Sequence, residues 1–300
     1  SQGFVTVLDE ATGGNPQSLG VIGGMLHVVG PNGPELLVNA YEYYDAPADN
    51  TQTTLVIRDA TDLAASTKDG FFELSGAAHA SGWMSPIPSE WQSALGGSHI
   101  TGHSSGVPII SRLSVGPSAF VFDPLTMVGV ANVQSPIPTS ALLDYSLDHP
   151  LHADLSNDTG QNQIWTHLSR ASYGFIAPGS RTYVTIGNSG GHASGVCYKC
   201  TPSGSSSDCG GYCANDGNDY SHFYWLYDVN DLVAVKAGTK QPYEVLPYEF
   251  GAFPTPFASR EIGGGAFDPA TGLLYLNVLG ADDEQGTYAV PPLIVVYRIQ

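Results

Sequence analysis

Short apolar runs rich in Val, Ile, Tyr, Phe and Thr recur along the chain, separated by Gly- and Pro-containing breaks, as in "GVIGGMLHV", "LVIRD", "AFVFDP" and "LLYL". With 36 Gly and 21 Pro to supply turns, the pattern predicts many short strands joined by turns. Helix is confined to stretches such as "PSEWQSAL" and "TSALLDYSL", each enough for a turn or two. No linker divides the 300 residues, which are long enough to bury a sizeable core, so residues 1–300 read as a single all-β domain.

Internal repetition sharpens this to a β-propeller. Three segments share Ser-Arg, a Gly-containing apolar strand and a turn: "SRLSVGPSAFVFDP" from Ser111, "SRASYGFIAPGSRTYV" from Ser169 and "SREIGGGAFDPATGLLYL" from Ser259. A second pair, "LVIRDATDLAA" from Leu55 and "WLYDVNDLVAV" from Trp225, joins an apolar strand to D-x-x-D-L. Strand-turn units recurring every few tens of residues mark a radial or stacked architecture. The Ser-Arg segments fit the Gly-rich inner strand of a blade, and "SLGVIGGMLHV" and "DGFFELSGAAH" would begin two more. The spacing gives about five blades, with room for up to seven. Pairing of "PLIVVYRI" with "FVTVL" would close the ring and remove exposed sheet edges. The alternative is a β-sandwich with coincidental repeats.

Charge narrows the partners. Only 13% of residues are charged, yet 28 acids against 10 bases leave a net charge of −18. That argues against nucleic acid or an anionic membrane, and against an anionic substrate unless the few bases gather in one cleft. No apolar run reaches the ~18 residues of a membrane span. The start "SQGFVTV" lacks a basic, then apolar, leader, so the expectation is a secreted or periplasmic protein, monomeric, whose signal peptide has been removed.

Candidate chemistry centres on histidines. "GHSSG" matches G-x-S-x-G, but "VPIISR" follows Ser104 where a nucleophile elbow needs a helix. His99 and His103 have the spacing of a helical zinc pair, but on an extended chain four residues span ~13 Å and the two cannot share one ion. What remains is a density of His79, His99 and His103 in a Gly- and Ser-rich region near Trp83 and Trp91, whose faces could stack a sugar ring.

Through "AAHASG", "GSHITGHSSGVPIISRLSVGPSAFVFD", "LSRASYGF", "SRTYVTIGNSGGHASGV" and "YWLYDVNDL" the chain resembles the propeller-type ulvan lyases, over about residues 70 to 235. The resemblance implies a seven-bladed propeller on a longer chain that cleaves a sulfated algal polysaccharide at its uronic acid by β-elimination. Such a reaction must neutralise a carboxylate, remove the C5 proton and protonate the C4 oxygen. Arg suits the first task, and His or Tyr the others. By resemblance His79 and His99, 20 residues apart, match the two active-site histidines, one as base and the other assisting or binding. Tyr145 is the candidate catalytic tyrosine and Arg170 the carboxylate neutraliser. Arg112 and Arg260 rival Arg170 from the same place in their repeats. His103, Tyr212 and Arg112 are the candidate substrate contacts.

All four cysteines fall in C-x2-C-x8-C-x3-C. The spacing suits a structural zinc held by Cys197, Cys200, Cys209 and Cys213, with two disulfides as the alternative. The family resemblance also points to a metal here, with His192 able to replace one cysteine. Either way the segment reads as an insertion at about residues 189–221. "ANDGNDY" and "GADDEQG" are candidate calcium loops without EF-hand spacing. No organic cofactor is expected, and Asn157 opens a formal glycosylation sequon. Two other functions stay open: a propeller glycoside hydrolase using two of Asp45, Asp144 and Asp148, and a non-catalytic sugar-binding propeller.

Overall fold

The computed structural model describes residues 19–42, 45, 49–104, 114–257, 261–286 and 288–299. Its sheets form a β-propeller arrangement. The first blade is a four-stranded antiparallel sheet of β1 (Val21–Gly30), β2 (Gly33–Tyr41), β3 (Gln52–Ile57) and β4 (Lys68–Glu73) in sequential order. The second follows the same plan with β5 (Met84–Pro86), β6 (His99–Thr101), β7 (Ala119–Phe122) and β8 (Ser140–Leu143).

The third blade comprises β9 (Arg170–Ile176) and β10 (Thr182–Gly190), then, after a small hairpin of β11 (Val196–Tyr198) and β12 (Tyr212–Ala214), β13 (Tyr220–Asp228) and β14 (Glu249–Ala252). The fourth has three strands, β15 (Ile262–Asp268), β16 (Leu273–Val278) and β17 (Leu293–Arg298). The first strands neighbour one another in series, β1 with β5, β5 with β9 and β9 with β15, as the inner strands of successive blades do. Four blade sheets are therefore present among the described residues, where the repeat spacing led us to expect about five.

Burial follows from this stacking. The largest apolar cluster lies chiefly between the second and third blades and includes Trp83, Ile100, Leu142, Tyr183, Trp165 and Trp225. Trp83 donates its indole N–H to the Tyr183 hydroxyl at 3.2 Å, and Trp225 donates to the Ile164 carbonyl at 2.7 Å, so both rings are buried without an orphaned donor. Trp91 donates to the Ser180 carbonyl at 2.8 Å. Trp83, 3% exposed, is a packing residue rather than the sugar platform expected of it, whereas Trp91 is partly buried. Leu37, Val56, Leu74, Phe120 and Met127 form a second cluster between the first two blades.

Several sequence expectations are met. "PSEWQSAL" contains helix α1 (Ser89–Leu95), and the segments from Ser169 and Ser259 lead into inner strands β9 and β15. The two D-x-x-D-L segments follow equivalent third strands, β3 and β13, and make the same turn. Asp59 Oδ1 accepts the Thr61 N–H at 2.8 Å, and Asp228 Oδ1 accepts the Asn230 N–H at 2.9 Å. Only the second turn runs on into a helix, α2 (Val229–Lys236).

Others are corrected. "TSALLDYSL" contains strand β8, because Leu142 and Leu143 are buried against the neighbouring sheet and tertiary packing overrides local propensity. The segment from Ser111 supplies β7, the third strand of its blade, and "DGFFELSGAAH" supplies β4, which closes a blade instead of opening one. An apolar strand followed by a Gly turn does not encode its place within a blade. The expected partner of β17, "FVTVL", lies outside the described residues.

Candidate functional site

Antiparallel blades bring the starts of inner strands and the ends of second strands to one rim. Arg170 opens β9, Tyr41 closes β2 and Tyr220 opens β13. His79 lies in the 3-10 turn Ala77–Ala80 that enters the second blade, and His103 follows β6.

Three buried polar groups hold this rim together. Asn39 places its amide nitrogen 3.0 Å from the Ala80 and Gly82 carbonyls and the Thr101 hydroxyl, while its oxygen accepts from Thr54 at 2.7 Å. The turn carrying His79 is thereby pinned to the first blade. Ser118 Oγ lies 2.5 Å from the His79 carbonyl and 2.7 Å from the His103 carbonyl, and accepts the His103 N–H at 2.7 Å. A single hydroxyl thus joins the backbones of both histidines. Ser104 Oγ donates to the Ala171 carbonyl at 3.0 Å and accepts the Ala171 N–H at 2.7 Å. The serine of "GHSSG" is therefore a bracket that holds the residue after Arg170. Gly82 is required by the same packing: a Cβ there would meet the Gly102 carbonyl at 2.1 Å and His103 Nδ1 at 2.9 Å.

The side chains of the rim interact directly. His79 Nδ1 lies 2.5 Å from Asp144 Oδ1. An ionised carboxylate only accepts, so Nδ1 carries the hydrogen and Nε2 is the nitrogen that can take up a proton. His103 meets the Tyr41 ring edge-on with centroids 4.5 Å apart. Arg170 donates to the Tyr41 hydroxyl at 3.3 Å and faces Glu261 at 3.8 Å, with 35% of its side chain exposed. Burial, with the charges of Arg170 and His79 nearby, holds the His103 imidazole well below its ordinary pKa, so it is neutral. Burial and the adjacent Glu261 push the Tyr220 phenol upward.

Two sequence-derived residues are not brought to this rim. Tyr145 is fully buried and donates to the Val245 carbonyl at 2.5 Å; burial drives its phenol far up, and its neighbour Asp144 is the residue that reaches His79. His99 pairs with Pro86 and Phe122 at the opposite end of β6 from His103. There Ser98 Oγ lies 2.9 Å from its Nδ1, and burial lowers its pKa to about 4. The site instead recruits Tyr41 and Asp144, which sequence reasoning missed in these roles. Asp144 had been weighed only as a hydrolase carboxylate, and Tyr41 reads as an ordinary strand residue. Arg112 and Arg260 lie outside the described residues.

The cysteine segment lies between β10 and β13 as the β11–β12 hairpin. Cys197 pairs with Cys200 and Cys209 with Cys213 as disulfides, the alternative left open by the spacing. His192 is also occupied: Nε2 lies 2.7 Å from Ser189 Oγ and Nδ1 2.9 Å from the Asn162 carbonyl. With four sulfurs oxidised and both ring nitrogens engaged, these residues as arranged do not fit a zinc ion. Tyr212 stacks on His167 at 4.1 Å and packs near Tyr198 at 5.0 Å, an aromatic group belonging to the hairpin.

In the two acidic loops carboxylates accept hydrogen bonds from their own chain. Asp219 Oδ2 accepts the Ala193 and Ser194 N–H groups, Asp216 accepts from Asn218, and Asp282 accepts from Glu284. Asn157 is buried and donates to the Gly191 and His192 carbonyls, so the sequon is a structural turn. No helix among the described residues is long and apolar enough to cross a membrane. Compared with protein-family models and with curated proteins, the chain matches no family and shows no significant similarity to a curated protein.

Proposed function

We propose that the protein is a secreted polysaccharide lyase that cleaves a uronate-containing sulfated polysaccharide, with ulvan the favoured substrate, by β-elimination. The observation that carries this reading is the His79–Asp144 pair on the same rim as a partly exposed Arg170 whose contacts to Tyr41 and Glu261 are long, at 3.3 and 3.8 Å. Arg170 neutralises the uronate carboxylate, which acidifies the C5 proton. His79, its tautomer set by Asp144, removes that proton through Nε2. The C4–O bond breaks as the C4–C5 double bond forms, and the departing oxygen takes a proton from Tyr41. His103, held neutral, keeps a second positive charge away from the base. The disulfides are compatible with an oxidising compartment, which supports secretion.

The test is incubation with ulvan while following ultraviolet absorbance from a new unsaturated uronyl end. Absorbance is expected to rise with wild type, His99→Ala and Tyr145→Phe, and to stay flat with His79→Ala and Arg170→Ala. New reducing ends without absorbance would replace this reading with a glycoside hydrolase. Neither signal across several uronate polysaccharides would leave a sugar-binding propeller.

A further inference from the structure

The connection from β2 to β3 carries groups that the elimination does not use. In "YEYYDAPADN", Glu42, Asp45 and Asp49 each bring a carboxylate oxygen to a common point, with these oxygens all within 4.8 Å of one another. Asp45 is only 1% exposed. Its Oδ1 accepts the Asp49 N–H at 2.9 Å, whereas Oδ2 is buried with no hydrogen-bond partner among the described residues. Such an oxygen is costly to bury, and two carboxylates beside it add repulsion. Burial, with Asp49 and Glu42 close by, pushes the Asp45 carboxyl above its ordinary range. A proton would relieve one oxygen, whereas a divalent cation would offset the repulsion among all three acids.

We propose that Glu42, Asp45 and Asp49 form a calcium site between β2 and β3. All three donors are hard carboxylate oxygens, a set that suits calcium or magnesium and not a thiophilic metal. Two oxygens on one ion lie no farther apart than twice the metal–oxygen bond, about 4.6–5.2 Å for Ca²⁺ and about 4.2 Å for Mg²⁺. The three oxygens, all within 4.8 Å of one another, lie inside the span that Ca²⁺ allows. Asn50 braces the arrangement, its Oδ1 accepting the Glu42 N–H at 2.8 Å and its Nδ2 lying 3.3 Å from Glu42 Oε2. The ion fixes the chain immediately after Tyr41, and so the ring that packs on His103. The site rests on this geometry and not on the lyase reading.

The test uses the full chain stripped of metal with chelator, then titrated with Ca²⁺ by calorimetry and followed by thermal unfolding. Terbium luminescence sensitised by Tyr41 gives an independent signal. Calcium is expected to bind and raise Tm, and Asp45→Asn to weaken binding by about tenfold or more, as loss of a ligand charge does. Asp49→Asn, a change at an exposed position, is expected to weaken binding likewise if Asp45→Asn does not fold. Absence of calcium binding in wild type, undiminished binding in both variants, or tighter binding of Mg²⁺ than of Ca²⁺ would overturn the assignment.

Discussion

Arg58 and Arg170 both face acidic side chains, yet they are held in opposite ways. Arg58 is 18% exposed and pairs with Glu35, itself 1% exposed, at 2.9 Å, and with Asp69. It also donates to the Met127 and Val130 carbonyls at 2.8 and 2.9 Å. Its guanidinium is spent on joining the first blade to the loop after β7. Arg170 has an ion pair at 3.8 Å, a hydrogen bond at 3.3 Å and about twice the side-chain exposure. A guanidinium with short contacts on every side is a structural clamp, whereas one with long contacts beside a histidine–carboxylate pair can still receive an anion.

Substitution separates the two. His79→Ala and Arg170→Ala are expected to lower turnover of ulvan by about 10²- to 10³-fold while leaving Tm nearly unchanged, as parallel rate and melting measurements will show. Arg58→Ala should do the reverse, costing about 3–5 kcal/mol of stability in urea titration by leaving Glu35 buried without a partner. Folded Arg58→Ala protein should retain the wild-type rate.

Acid probes the two ends of β6. His99 has a folded pKa of about 4 against an unfolded value of about 6.5, so the unfolded state binds more protons between those values. Its stability contribution is fully present above pH ~6.5 and is lost as pH falls toward 4. His99→Gln should flatten the dependence of Tm on pH over that window and leave the elimination rate intact. The smallest effect is expected from Glu261→Gln. Removing this competitor for Arg170 should lower KM by about two- to fivefold, the size of an exposed ion pair.

The strand-rich architecture was legible because apolar runs and Gly–Pro breaks alternate, and because equivalent third strands repeat the same aspartate turn. The count of blades was less legible, since the Ser111 segment and "DGFFELSGAAH" look like inner strands until their pairing is known. At the candidate site, Arg170 and His79 were singled out from residue type, repeat position and resemblance, and the fold puts both on one rim. Tyr145 was misplaced because nothing local says which of the two residues that follow β8 is buried: Tyr145 is, whereas Asp144 reaches His79. Tyr41 was hidden because its partners, His103 and Arg170, are far from it in sequence. The cysteine spacing serves thiolate ligands and local disulfides equally well.

The β10–β13 ladder runs from Thr182 opposite Asp228 to Gly190 opposite Tyr220, so the hairpin segment leaves and re-enters the sheet at facing residues. Facing residues of an antiparallel ladder lie about 4.5–5.5 Å apart, a gap that a two-residue turn spans. Residues 191–219 are in this sense a cassette: the third blade's ladder closes beneath them, and they can be exchanged for other loops without re-threading the fold.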